Sequence, residues 1–334
     1  MLELLRPPPH RGPLIAAGAV VLAAGIALEE LRLGDEVALG VHLIILAVAS
    51  GFILALGLQA PTEDGKPPAY QSVLLVTGLL LLFPALVRLA DVLGADLSES
   101  GIPAGELTWI STIVAGAAVY ASRAKRSAIC LLIAAIAAAV AILSAFQWVF
   151  EPTSFAASRW LLLLIMIGLT LLSLVLRGSE PRQAELLVDA AGLAVLTIGL
   201  QAIVSALVTA FSLFDSAAPE SLLPTFWEFI LLAVGCGLIA YGAIERLPGP
   251  AWLGLANLAV FIVCAVVFSD ETLYGWPLVL LLLGAGAMLA GLRPRQPLPP
   301  EPSAYGAGGR PLATRTDEDE VVLRVRDDSP PESR

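Results

Sequence analysis

Four polar side chains stand inside or at the ends of long apolar stretches: His42, Gln201, Glu228 and Asn257. A buried amide left without a hydrogen-bond partner costs roughly 2–7 kcal/mol, depending on the reference state. Gln201, near the middle of the apolar run 185–212, and Asn257, the only asparagine, should therefore face other helices or a cavity. There they would act as packing glue or as hydrogen-bond partners for a cargo. His42 stands little more than one turn into the run 37–58. With no second ligand type nearby it reads as a hydrogen-bonded interface residue, with a metal or proton site as the alternative. Glu228 lies three residues after Thr225, which follows Pro224. Thr-x-x-Glu before an apolar run predicts a capping box; an outer cation or proton site is the alternative. Glu185 and Asp189 should open a helix, where acids favour the positive end of the dipole. Arg88 and Asp91, three apart, should form a surface pair.

Soluble catalytic signatures are missing. The chain has no H-E-x-x-H, G-x-S-x-G or Walker loop, and only two histidines. Gly235-Cys236-Gly237 with Ala240 matches G-x-G-x-x-A formally, but no strand precedes it and it lies in an apolar run. The three cysteines, Cys130, Cys236 and Cys264, show no C-x-x-C spacing and read as small apolar residues. No catalytic, cofactor-binding or metal-ligating residue is assigned, no cofactor is expected, and the chain is not read as an enzyme.

These residues must be positioned by membrane helices. Hydrophobic residues make up 57% of the chain and charged ones 14%, and the mean hydropathy is +0.85. A bilayer core about 30 Å thick takes roughly 20 apolar helical residues to cross. The expected fold is an all-α, polytopic integral membrane helix bundle of about ten transmembrane helices in a domain over 14–292. The spans read as 14–28, 37–58, 70–88, 107–122, 127–149, 159–176, 185–212, 224–243, 251–268 and 273–292. The runs are continuous rather than alternating, which favours helices over a barrel. The first span also fits a signal peptide with Gly25-Ile26-Ala27 as cleavage site. The fourth carries Thr108, Ser111 and Thr112 and should be buried against other helices. Pro84 and Pro277 can kink their helices. Glycines seven apart (Gly18/Gly25, Gly192/Gly199, Gly284/Gly291) predict packing faces.

Positive charge in the connecting segments sets the orientation. With the N-terminal segment 1–13 in the cytoplasm, that side carries eleven basic residues before the rest of the tail: Arg6, Arg11, Lys66, Arg123, Lys125, Arg126, Arg177, Arg182, Arg246, Arg293 and Arg295. The other side carries Arg32, Arg88 and Arg159. Five tryptophans (109, 148, 160, 227 and 276) fall at the outer span ends, as an interfacial belt requires. Both termini are thus expected to be cytoplasmic, in a multi-pass protein of the plasma membrane with a bacterial look. Membrane lipids are the expected neighbours and nucleic acid is not expected as a partner. The central thirds of the spans hold no Asp, Glu, Lys, Arg or His, which counts against a proton pump or voltage sensor.

Residues 14–149 and 159–292 hold five spans each, so the second half enters with the opposite orientation. Inverted 5+5 halves build many secondary transporters. In span count, short loops and cytoplasmic termini the chain resembles the ten-span drug and metabolite transporter superfamily. That resemblance implies a transport pathway between the halves and transfers no functional residue.

Residues 293–334 change to Pro, Gly, Ser and charge, a composition expected to stay a disordered cytoplasmic tail. Within it Val321, Leu323 and Val325 would share one face of a strand able to add to the sheet edge of a cytoplasmic protein partner. Two functions follow as expectations. One is a carrier for small apolar or amphipathic solutes or lipids. The alternative is a non-catalytic membrane scaffold or assembly factor docking a partner through its tail. A two-fold relation between the halves in the membrane plane would favour the carrier, and its absence the scaffold.

Overall fold

The computed structural model describes residues 11–33, 38–61, 68–95, 101–152, 155–212 and 224–267, and every regular element among them is a helix. These are α1 (Gly12–Leu33), α2 (Leu39–Gln59), α3 (Ala69–Val92), α4 (Ala104–Lys125), α5 (Ala128–Phe150), α6 (Ala156–Leu176), α7 (Pro181–Ser212), α8 (Thr225–Glu245) and α9 (Pro248–Val267). They follow the apolar runs of the sequence closely. Span 273–292 and the tail, with Val321, Leu323 and Val325, lie outside the described residues.

Seven of the helices, α1, α2, α3, α5, α6, α7 and α8, are long and apolar enough to cross a membrane. The expected count of ten is therefore not reached among the described residues. In α4, Glu106, Thr108, Ser111, Thr112, Arg123 and Lys125 dilute the apolar character, and α9 is described as an apolar helix over Pro248–Cys264. The surface bears out the membrane setting. Leu80, Leu164, Val175 and Ile244 are mostly exposed, whereas Gln71 and Asn257 are fully buried. In water such a surface would aggregate; in lipid it is the expected polarity.

Successive helices pair as hairpins. The most extensive contacts are α2 with α3, α4 with α5, α6 with α7 and α8 with α9. Within the first two hairpins α3 also touches α4 and α5; within the last two α7 also touches α8 and α9. The pairing thus repeats in steps of four helices. A five-helix inverted repeat would pair α7 with α8 as α2 pairs with α3, yet α7 and α8 meet far less than either meets its hairpin partner. Among the described residues the α6–α7 connection (177–180) and the α8–α9 connection (246–247) are short and hold these neighbours together as hairpins.

The four hairpin connections share one end of the bundle, and their chemistry explains why each helix stops there. The last carbonyls of α2 have no intrahelical donors. Gln71 Nε2 donates to Gly57 O at 2.9 Å and Ala60 O at 3.3 Å, and Lys125 Nζ donates to Ala60 O at 3.0 Å. On the other hairpin pair Arg177, just past α6, forms an ion pair with Glu245 at the end of α8. Both α4 and α8 end on an arginine in the left-handed conformation, Arg126 at φ 51° and Arg246 at φ 59°. At the opposite end the aromatic residues gather. Trp160 stacks on Phe226 at 5.5 Å and meets Trp227 edge-on at 5.1 Å. Of the glycine pairs, Gly192 and Gly199 are close-packed, whereas Gly18 and Gly25 face open space. Gly284 and Gly291 lie outside the described residues. Pro84 is accommodated inside α3.

Candidate functional site: a groove along α5 and α6

Where the two hairpin pairs meet, α5 packs on α7 and more lightly on α6, leaving an apolar crevice. It has a volume of about 530 Å³. The alanines of α5 (Ala134, Ala135, Ala138, Ala139) give one shallow wall, and Leu161, Leu164, Ile165, Gly168 and Leu172 of α6 give the other. Ala115 and Val119 of α4 and Leu187 of α7 close the back. Alanines are short, so the facing leucines cannot reach across to fill the space. No polar side chain lines this crevice.

A second cavity, of about 230 Å³, follows along the same two helices towards the aromatic end. Leu143 in its wall directly succeeds Ile142 of the crevice, and Ser158 stands one helical turn from Leu161. Its lining is mixed: Gln147, Ser158 and Gln201 supply polar groups, and Phe146, Pro152 and Phe155 an apolar frame. Gln201 Oε1 is shielded from solvent and has no hydrogen-bond partner. The structure therefore places Gln201 against a cavity, and not at mid-span. Since α7 has 32 residues, about 48 Å at 1.5 Å per residue, Gln201 lies level with the first turn of α6.

The other expected sites fall elsewhere. Asn257 is fully buried between α9 and α7, its Nδ2 donating to Leu253 O at 2.9 Å and Gly192 O at 3.4 Å. One turn pair further on, Cys264 Sγ reaches Gly199 O at 4.0 Å. Asn257 is thus a strut between helices and lines neither cavity. His42 is buried on the α2 face that carries Leu46, Ser50, Ile53 and Gly57, also away from both cavities. Glu228 is buried in the first turn of α8. The capping box is corrected: Pro224 occupies the N-cap and Thr225 is the first helical residue, so threonine is one position too late to cap. Asp189 is not in a first turn either. α7 begins at Pro181, and Asp189 packs two turns in, its Oδ2 only 2.8 Å from where a Cβ on Gly249 would lie. Arg88 and Asp91 do pair, at 3.4 Å.

A third cavity, of about 350 Å³, lies between α6, α7 and α8 and is lined by Thr170, Ser173, Arg177 and Tyr241 among apolar residues. Ser173 Oγ already donates to Ala184 O and Arg177 is held by Glu245. Its polar groups therefore serve the packing. Among the described residues no three His, Cys, Asp or Glu side chains gather as metal ligands, and the cysteines there are free thiols.

Apart from Gln201, the residues that build the groove were not singled out in the sequence. Gln147, two residues from the end of an apolar run and next to Trp148, carried a signal: an amide beside an interfacial tryptophan. Gly168 and the alanines of α5 carried none, because small residues on a membrane helix equally mark tight packing. The fold defines a helical membrane protein with an amphipathic groove. The chain matches no protein-family model, no curated protein and no solved structure.

Proposed function

We propose that the chain is a membrane carrier for apolar or amphipathic, lipid-like solutes, and that the solute occupies the α5–α6 groove. The observation that carries this reading is the crevice itself. Its volume lies in the range of small-molecule sites, about 300–1,000 Å³, and its wall offers only apolar contacts. The reading includes ten spans, a plasma-membrane location and both termini in the cytoplasm. Hairpin connections rich in Arg and Lys then face the anionic inner leaflet, where each basic residue contributes about 1 kcal/mol. No catalytic role is assigned, and membrane lipids are the neighbours.

Gly168 gives a clean test, because a Cβ there meets nothing within 4 Å. Gly168→Trp fills the crevice without disturbing the helix contacts. The purified chain in vesicles should speed transfer of a fluorescent single-chain amphiphile between leaflets at least tenfold over protein-free vesicles, and Gly168→Trp should abolish the gain. Equal rates with and without protein would end the carrier reading. A reporter fused after Arg126 should read cytoplasm and one near Ser100 the outside; the reverse pair would invert the topology.

The scaffold reading keeps one observation in its favour, the four-helix step in the pairing of the described helices. It places the partner at Val321, Leu323 and Val325. Val321→Asp with Leu323→Asp should then abolish partner recovery at unchanged abundance, and should be silent in the transfer assay if the protein is a carrier.

A further inference from the structure

The groove has a direction. Its crevice runs along α5 from Leu131 to Ile142, about 16 Å at 1.5 Å per residue, and the polar cavity of Gln147, Ser158 and Gln201 comes next along α5 and α6 towards the aromatic end. An apolar slot capped by hydrogen-bonding groups is the shape of a single-chain amphiphile, tail in the slot and head at the cap. Trp160 and Trp227 meet at the same end of α6 and α8, the level at which lipid heads sit in a bilayer.

The cap also has a chemistry. No Lys, Arg, Asp or Glu lines either cavity. A phosphate or carboxylate head placed there would lose its hydration and gain no counter-charge, which is strongly unfavourable. Arg159, the neighbour of Ser158, is not part of either lining. What the cap offers is two carboxamides and a hydroxyl, each able to donate and accept. Ser158 Oγ donates to Phe155 O at 2.8 Å, so its remaining capacity is as an acceptor. Gln201 Oε1 waits for a donor. A head that supplies donors and carries no charge satisfies both.

We infer that the cavity of Gln147, Ser158 and Gln201 is a headgroup subsite selecting uncharged, hydroxyl-bearing single-chain lipids over phosphate-bearing ones of the same chain. This rests on the carrier reading's assignment of the groove as the solute site and adds the class of head it takes.

Two photoreactive probes with identical diazirine-bearing acyl chains test it: a monoacylglycerol and a lysophosphatidic acid, each irradiated with the full chain in detergent and mapped by mass spectrometry. The monoacylglycerol should label α5 and α6 between 131 and 172, with an apparent affinity at least tenfold above that of the lysophosphatidic acid. Gln201→Leu should weaken the monoacylglycerol about tenfold, as expected for one lost hydrogen bond, and leave the lysophosphatidic acid unchanged. Gln147 is exposed on the last turns of α5, so Gln147→Leu leaves the fold intact and should weaken the monoacylglycerol in the same sense should Gln201→Leu fail to fold. Equal labelling of the groove by both probes, or indifference to both substitutions, overturns the headgroup assignment and leaves the groove reading standing. Failure of both probes to label the groove overturns the groove reading itself.

Discussion

In the hairpins α2–α3 and α4–α5, helix ends are tied by a buried amide and an ammonium; in α6–α7 and α8–α9 they are tied by an ion pair at the surface. Gln71 and Lys125 converge on the last carbonyls of α2, whereas Arg177 and Glu245 hold the ends of α6 and α8 half-exposed. The small residues differ as well. In α8–α9 a Cβ on Gly254 would lie 2.7 Å from Gly235 O and 2.8 Å from the backbone nitrogen of Ile239, so the two backbones touch. Counting from Arg126 as from Arg246, the matching places in α4–α5 hold Ala115 and Ala134, and both line the crevice. Alanine at each place gives the crevice a shallow apolar wall. The same hairpin geometry thus serves compaction in one pair and a site in the other.

The largest expected effect breaks this contrast directly. Gly254→Ala pushes a methyl into backbone that cannot give way, costing about 1–3 kcal/mol as overpacking. Ala134→Gly, its counterpart, should cost only about 1 kcal/mol from helix propensity. Thermal unfolding in detergent compares them, and an equal loss would mean that the α8–α9 contact is no tighter than α4–α5. Next comes the α2 cap. Gln71→Leu strands Gly57 O in the core and should cost about 1–3 kcal/mol, against about 1 kcal/mol for Ser173→Ala, which loses one bond to Ala184 O. The order reversed would show that the α2 carbonyls find other donors. The smallest effects sharpen the comparison of the two ties. Lys125→Met should cost about 1 kcal/mol. Glu245→Gln should cost less than about 0.5 kcal/mol, because its pair with Arg177 is solvent-screened. Only the Glu245 difference should vanish in high salt; a salt-sensitive Lys125 effect would place that ammonium in solvent too.

Much of the fold was legible from hydropathy. The apolar runs coincide with the described helices, since a continuous stretch of Leu, Ala, Ile and Val in lipid has only the helix to satisfy its backbone. Asn257 and Gln201 both stand out in the sequence as amides needing partners, and in each the side-chain oxygen has none. Periodicity could not separate their roles. Asn257 is glue because its Nδ2 meets Gly192 O across α7–α9, and Gln201 is a site residue because α5 and α6 leave a cavity beside it. Thr225 shows the opposite error: a capping motif was present in the letters, but the helix begins one residue earlier than the motif requires, with Pro224 at the N-cap.

The sequence by itself determined that the chain crosses a membrane, where its helices run, and which end of the bundle carries the basic connections. Those properties follow from local hydrophobicity and charge, which act residue by residue. Pairing is different. Any two apolar helices are equally compatible with lipid, so equal halves could not distinguish a step of five from a step of four. Contacts such as Gly254 against Gly235, and the reach of Lys125 to Ala60, decided which of the described helices pair, and with it where alanine walls leave a groove open.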